Sequence, residues 1–137
     1  GLMGLAENVP EVRIGAGRTV TVVDVARGQD DRLRARLGEL GLVLAPDSGW
    51  VGLTACSGRG RCANARVDAV RGAAARARIR RAGAPAEHWA ACERRCGEQA
   101  EQPVAVTGSE TGLLVRMNGI ECRAPDVHEA LSVLACS

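Results

Sequence analysis

The chain has no lysine, phenylalanine or tyrosine, and two tryptophans supply its only aromatic side chains. Proteins that bind single-stranded nucleic acid stack the bases on aromatic rings, so this shortage argues against that class. The net charge of +2 is too small to favour nucleic acid or an acidic membrane as a partner. All the basic residues are arginines, and we attribute the Arg and Ala bias to a high-GC genome.

Long apolar runs are also missing. No segment approaches the roughly 20 apolar residues that a transmembrane helix needs. The N-terminus has no cationic segment followed by an apolar core, which is the pattern of a secretory signal. A chain of 137 residues can still bury roughly two-thirds of its surface. We therefore expect a cytoplasmic protein with its own core, in a compartment that keeps thiols reduced.

Cysteine is the residue that narrows the function most. Four of the six cysteines form two close pairs, Cys56 with Cys62 and Cys92 with Cys96, separated by about thirty residues. Four thiolates are the number that a [4Fe–4S] cube needs, one for each iron. The paired spacing therefore predicts one cluster held between two short loops.

Residues around the cysteines suit such a cluster. Gly58 and Gly60 would let the first loop bring backbone amides close to sulfide. Positive side chains would offset the negative charge of a thiolate-ligated cluster. These side chains are Arg59, Arg61, Arg94 and Arg95.

Two other interpretations of the cysteines stay open. A structural zinc site also takes four thiolates, but its pairs are usually spaced by two to four residues, and the first gap here is five. Six cysteines in a short chain can also form a disulfide framework. We place the cluster first, zinc second and disulfides third. Cys122 and Cys136 lie outside the paired pattern, and we expect them to be small buried hydrophobic residues.

Three segments carry a resemblance to the nitrite/sulfite reductase superfamily, and within it to the precorrin-3B synthases. Residues 41–56, GLVLAPDSGWVGLTAC, resemble the entry to the first cysteine pair, and residues 87–92, EHWAAC, resemble the strand-like approach to the second. Residues 12–20, VRIGAGRTV, are similar to a strand pair that ends in an anion-binding arginine, here Arg18. The resemblance runs from about Leu2 to Gly119. Ala16 and Gly17 stand where the family has Pro and Trp, and Glu93, Arg94 and Arg95 replace small or amide residues.

The resemblance implies an α+β fold in two parts. Residues 1–52 would form a ferredoxin-like half-domain, and residues 53–137 a nitrite/sulfite reductase-type domain that binds the [4Fe–4S] cluster through Cys56, Cys62, Cys92 and Cys96. Enzymes of this superfamily carry two copies of a repeat, whereas this chain has room for one and begins at Gly1 without an initiator Met. We therefore expect the C-terminal part of a longer protein, with the missing N-terminal repeat as a partner.

The function implied is that of an iron–sulfur oxidoreductase. In precorrin-3B synthases this means oxygen-dependent hydroxylation and lactone formation on precorrin-3A, within cobalamin biosynthesis, with electrons from a donor such as ferredoxin or an NAD(P)H system. Arg18, Arg59 and Arg61 would bind carboxylates of the tetrapyrrole substrate, because guanidinium groups match carboxylates bidentately.

Two alternatives to that function remain. The first is a sirohaem-dependent sulfite or nitrite reductase fragment, in which Cys96 would bridge cluster and haem iron. The second is a non-catalytic cluster or zinc module. The entry segment before Cys56 and the absence of lysine favour the precorrin-3B synthase interpretation.

Local patterns in the first part predict a strand over Thr19–Val25 that is buried on both faces. Asp30 is expected to cap a helix that Gly41 ends. Leu42–Leu44 should then return as a strand, giving a parallel pair within a mixed sheet.

Patterns in the second part predict a long helix over Cys62–Ala82. Its buried stripe would consist of Val67, Val70, Ala74 and Ala77. Strands are expected at Val104–Thr107 and Leu113–Met117, followed by a tight turn at Asn118-Gly119. A last helix after Pro125-Asp126 should bury Val127, Leu131 and Leu134. Among single residues, we expect His88 to be a satisfied structural histidine, His128 to face solvent, and both tryptophans to pack in the core.

Overall fold

A computed structural model describes residues 11–15 and 18–135 of the chain. These residues form seven β-strands and three α-helices, which confirms a mixed α+β fold. The chain divides into two compact units between Leu44 and Ala45. The boundary near Gly52 that the resemblance implies, between residues 1–52 and 53–137, stays a prediction.

The first unit contains a hairpin and a helix. β1 (Glu11–Gly15) pairs with β2 (Thr19–Val23) in antiparallel register, with Arg13 opposite Thr21. α1 spans Asp30–Glu39. Gly41 follows the C-cap residue Leu40 with a φ of +76°, and the amide of Leu42 donates to the carbonyl of Leu37 at 3.1 Å. This is a Schellman motif, and it confirms that Gly41 stops the helix.

Three predictions for this unit are wrong. Leu42–Leu44 forms no strand, so the predicted parallel pair is absent and β2 pairs with β1 alone among the described strands. No residue of β2 is buried. Its β-branched residues favour a strand, but burial on both faces also requires layers packed against those faces, which strand propensity does not provide. Gln29 rather than Asp30 is the N-cap of α1, and it makes no side-chain capping bond. Asp30 instead lies in the first turn, where its charge suits the helix dipole.

An open groove with a mixed polar and apolar lining lies within the first unit. The groove has a volume of about 450 Å³ and lies between β2, α1 and the segment 43–44. Val20, Val22, Leu33, Leu37 and Val43 contribute its apolar lining. No residue of α1 is buried, so the apolar side of this helix stays accessible in the described structure.

The second unit is built on one five-stranded sheet in the order β3-β4-β5-β6-β7. The first three strands run parallel to one another, and β6 and β7 continue the sheet in antiparallel fashion. The strands are β3 (Leu53–Ala55), β4 (Glu87–Ala90), β5 (Val104–Ser109), β6 (Gly112–Met117) and β7 (Ile120–Ala124). The predicted β5 and β6 strands are confirmed. So is the turn at Asn118 and Gly119, whose φ values of 49° and 80° match a type I′ hairpin.

Two helices complete the core of this unit. α2 (Ala69–Ala77) packs against β3 and β4, and α3 (Val127–Ala135) packs against β6 and β7. The side chains between these layers include Trp89, Val106, Val115 and Leu134, each at most 1% exposed. Trp50 packs against the same cluster, so both tryptophans lie where core packing was predicted.

The last helix follows its prediction in part. The side chain of Asp126 accepts a hydrogen bond from the amide of Glu129 at 2.9 Å, which caps the first turn. Leu134 is buried as expected, whereas Val127 and Leu131 are half-buried at the edge of the core. His128 is exposed, as predicted.

α2 differs most from its prediction. The helix has nine residues rather than spanning Cys62–Ala82, because Asp68 caps it by accepting from the amide of Arg71 at 3.0 Å. Val70, placed in the predicted apolar stripe, is 48% exposed. The residues buried instead are Ala69, Gly72, Ala73 and Arg76. Small side chains on this face let the helix approach the sheet closely. Hydrophobicity alone does not identify a buried face made of such small residues, because it selects the larger apolar side chains.

Candidate metal centre

The two cysteine loops leave the sheet at the same edge. Cys56 directly follows β3, and Cys92 comes two residues after the end of β4. Because β3 and β4 are parallel, with Ala55 opposite Trp89, both chains emerge side by side. Ligands of open α/β sheets commonly bind at this carboxyl edge. The sheet topology thus delivers one cysteine of each pair to one place.

Backbone hydrogen bonds hold the start of the first loop. The amide of Cys56 donates to the carbonyl of Trp89 at 2.9 Å, which continues the pairing of β3 with β4. The amide of Cys62 donates to the carbonyl of Gly58 at 3.1 Å, closing a turn. Gly58 and Gly60 have φ values of +65° and +88°, which glycine adopts without strain. The loop glycines noted in the sequence are therefore needed for this turn.

The sulfur of Cys56 accepts a hydrogen bond from the amide of Ala91 at 3.1 Å. Ala91 immediately precedes Cys92, so this bond links the sulfur of one pair to the backbone of the other. Amide donors to sulfur are the kind of contact that tunes iron–sulfur clusters. The predicted amide bonds from Gly58 and Gly60 to inorganic sulfide stay a prediction, and the amide of Ala91 is a donor that the sequence did not indicate.

Ala91 is also an anchor for the chain that follows the first loop. Its carbonyl accepts from the amides of Arg66 at 2.8 Å and Val67 at 3.3 Å. Gly108, near the end of β5, lies so close that a Cβ there would be 2.4 Å from the same carbonyl. Sequence reasoning missed Ala91 and Gly108, since neither residue carries a chemical group that marks a site.

The second loop is held by a buried histidine. His88 is 0% exposed, and its Nε2 lies 3.1 Å from the carbonyl oxygen of Cys96. Its Nδ1 lies 2.7 Å from the hydroxyl of Thr54 on β3. These contacts confirm the expected satisfied structural histidine and show which groups satisfy it. Within the loop, the amide of Arg95 donates to the carbonyl of Cys92 at 3.1 Å.

The arginines near the cysteines differ in their contacts. Arg61 and Arg94 are exposed. The guanidinium of Arg59 donates to the carbonyl of Arg66 at 2.9 Å. Arg95 lies 4.0 Å from carboxylate oxygens of both Glu98 and Glu121, so its charge is partly compensated by those two side chains. The charge of Arg95 is therefore less available to a cluster than the sequence suggested.

Arg18 belongs to the first unit. It lies in the turn between β1 and β2, with a φ of 58° and its amide donating to the carbonyl of Gly15 at 3.1 Å. Such a left-handed backbone is uncommon for a residue other than glycine. A common site for Arg18, Arg59 and Arg61 stays a prediction. Ala16 and Gly17, noted as departures from the family, lie outside the described residues.

Four thiols are the kind and number of donors that a [4Fe–4S] cluster takes. Cys56, Cys62 and Cys92 are half-buried and Cys96 is exposed, and none of the five described cysteines forms a disulfide. As the side chains stand, no three described His, Cys, Asp or Glu residues are grouped closely enough to hold a metal ion. A cluster at this edge would require the four sulfurs to lie closer together than they do here.

The remaining cysteines differ from the paired ones. Cys122 lies in β7, packs against the core, and has its sulfur 3.6 Å from the carbonyl of Val115. The side chain is half-buried, so the predicted small buried hydrophobic residue is confirmed only in its packing against the core. Cys136 lies outside the described residues.

Comparisons with known protein families and with curated proteins found no match for this chain. Its assignment to a function therefore depends on the cysteine spacing and on the geometry of the sheet edge. Among residues 11–15 and 18–135, the helices are too short to cross a membrane.

Proposed function

We propose that the chain is the cluster-binding part of a precorrin-3B synthase-like oxidoreductase. Cys56, Cys62, Cys92 and Cys96 would bind one [4Fe–4S] cluster, which supplies one-electron transfer. The observation that carries this proposal is the delivery of both cysteine loops to one carboxyl edge of the parallel strands β3 and β4. The amide of Ala91 on the sulfur of Cys56 supports it further.

The substrate assignment depends on the resemblance of the segments around the cysteines. It comprises oxygen-dependent hydroxylation and lactone formation on precorrin-3A, completed by a second repeat and by an electron donor such as ferredoxin. In that architecture residues 1–52 form the ferredoxin-like half-domain, with the antiparallel hairpin of β1 and β2 in place of the parallel pair, and the chain acts in the cytoplasm. Arg18, Arg59 and Arg61 bind carboxylates of the substrate, since each guanidinium can donate two parallel hydrogen bonds.

One observation favours a second candidate, a sirohaem-dependent reductase. Cys96 is exposed, whereas the other three cysteines of the pairs are half-buried. An exposed thiolate at the end of the second loop can reach a second metal centre, as a sulfur that bridges cluster and haem iron must. A haem-like Soret band in the freshly purified complete protein would favour this candidate over the first.

The central experiment is anaerobic reconstitution of the chain with iron and sulfide. We expect about four irons and four sulfides per chain, broad visible absorption, and an EPR signal after reduction. Replacing any of Cys56, Cys62, Cys92 or Cys96 by Ser should lower the iron content and bleach the absorption. Cys122→Ser is the matched control, because this thiol lies in β7 and packs against the core.

Full iron and sulfide in all four variants would rule out the proposed ligands. Zinc without sulfide in the purified wild type would instead support a structural zinc module. A wild type that takes up neither metal would contradict the cysteine centre itself.

A further inference from the structure

We infer that His88 is a positioning residue that holds the second cysteine loop against the strand leading into the first. The inference deepens the proposed function. Its consequence for a cluster depends on that function, whereas the positioning of the loop does not. His88 acts through the backbone carbonyl of Cys96 and the hydroxyl of Thr54. Through these two contacts its effect on a cluster would be indirect.

The first step is the placement of the histidine between two strands. Thr54 and His88 are partners across the parallel pair β3 and β4, so their side chains project from the same side of the sheet. Thr54 is two residues before Cys56, and His88 is four residues before Cys92. One side chain thus joins the strands that carry both cysteine loops.

The hydrogen-bond chemistry defines the tautomer of the ring. A backbone carbonyl can only accept, so the 3.1 Å contact with Cys96 requires a proton on Nε2. In the neutral ring Nδ1 then accepts from the hydroxyl of Thr54 at 2.7 Å. That hydroxyl also lies 3.3 Å from the carbonyl of Glu87, but the shorter contact favours the imidazole.

The consequence falls on the end of the second loop. Cys96 is exposed, and the residue before it, Arg95, has a left-handed backbone with φ 50°. A left-handed backbone at a residue other than glycine persists only where surrounding contacts hold it. The orientation of the Cys96 thiol therefore depends on a contact that holds the end of the loop in place. The hydrogen bond from the buried His88 to the carbonyl of Cys96 is such a contact.

The test compares three variants of the full chain. His88→Leu removes both hydrogen bonds, His88→Gln keeps an N–H donor near the position of Nε2, and Thr54→Val removes the hydroxyl that orients the ring. His128→Ala is the matched control, because this second histidine is exposed on α3. Circular dichroism and thermal unfolding establish which variants are folded.

The first measurement uses the protein without metal. Alkylation by iodoacetamide is followed at each cysteine by mass spectrometry. We expect Cys96 to react about fivefold or more faster in His88→Leu, the factor that loss of one typical hydrogen bond gives, while Cys122 reacts at its wild-type rate. His88→Gln should restore most of the protection, and Thr54→Val should lie between. Equal rates at Cys96 in wild type and folded His88→Leu would overturn the inference.

The second measurement uses the reconstituted protein. Loss of iron to a chelator should be about tenfold or more faster in His88→Leu, as for other outer contacts of metal ligands, and the reduction potential should shift. A histidine that only stabilised the fold would lower the melting temperature without changing the potential or being rescued by Gln. A folded His88→Gln that behaves like His88→Leu would also overturn the inference. If wild type takes up no cluster, the proposed function fails, and the alkylation rates alone decide the role of His88.

Discussion

At the scale of single residues, a buried carboxylate organises the start of β4. Glu87 is 1% exposed, and its Oε2 lies 3.0 Å from Nε of Arg76 and 3.5 Å from Nε of Arg80. Its other oxygen accepts from the indole N–H of Trp89 at 2.7 Å. Burial lowers the pKa of Arg80 from its ordinary value, and the charge of Glu87 opposes that shift. The carboxylate therefore compensates two buried positive charges.

Arg80 extends this arrangement to two chain segments. Its guanidinium donates to the carbonyls of Gly49 at 3.0 Å and Val51 at 2.5 Å, just before β3. It also donates to the carbonyls of Ala84 at 2.9 Å and Pro85 at 2.6 Å, just before β4. One side chain thus aligns the beginnings of the two strands whose far ends carry the cysteines.

Glu87→Gln should strongly destabilise the second unit. The amide keeps the size of the side chain but leaves two buried guanidinium groups without a negative charge, a change that typically costs about 3–5 kcal/mol. The free energy of unfolding from urea denaturation measures it. Glu110→Gln is the control, because Glu110 is 76% exposed and its pairing with Arg66 should contribute about 0–1 kcal/mol. Equal losses in the two variants would contradict the role given to Glu87.

At the scale of elements, the contact between α2 and β4 depends on a missing side chain. Gly72 lies in the middle of α2, and a Cβ there would be 2.4 Å from Cζ3 of Trp89. Trp89 is 1% exposed and is held by its bond to Glu87, so the ring has little room to move. The glycine is needed here for close approach rather than for backbone freedom.

Gly72→Ala should therefore lower stability although alanine favours helices. Forcing extra volume into a packed core typically costs about 1–3 kcal/mol. Gly38→Ala in α1 is the matched control, because nothing lies within 4 Å of a Cβ at that position. That control should be neutral or stabilising by up to about 1 kcal/mol through helix propensity. Urea denaturation of both variants checks the pair, and a stabilising Gly72→Ala would contradict the packing described.

At the scale of the whole molecule, the arginines of the proposed function are distributed over the two units. The second unit carries the cysteine edge with its exposed Arg59, Arg61 and Arg94, whereas Arg18 belongs to the hairpin of the first unit. The role proposed for Arg18 is tested separately, by its own substitution.

Arg18→Ala should weaken binding of precorrin-3A about tenfold or more, because a hydrogen bond to a charged group contributes about 1.5–3 kcal/mol. Fluorescence titration under anaerobic conditions measures the dissociation constant, and iron content should stay at the wild-type value. Arg13→Ala is the control from the same hairpin, where Arg13 is exposed and pairs with Glu11 at 2.5 Å. An unchanged dissociation constant for Arg18→Ala would place this residue outside the site.

Features that the sequence determined by itself are local ones. The stop of α1 at Gly41, the hairpin turn at Asn118-Gly119 and the cap of α3 at Asp126 each depend on a few consecutive residues. Backbone conformation and short-range hydrogen bonds select those residues wherever they occur. The cysteine spacing is local in the same sense, since it predicts which four thiols belong together before any sheet is known.

The tertiary structure decided the features that depend on contacts between residues far apart in the chain. The buried face of α2 follows from the position of Trp89 rather than from the helix's own hydrophobicity, and Leu42–Leu44 has strand-forming residues but no strand to pair with. The bond between Thr54 and His88 spans 34 residues, and that between Ala91 and Cys56 spans 35. Such contacts exist only once β3 and β4 are in register, and register is a property of the assembled sheet.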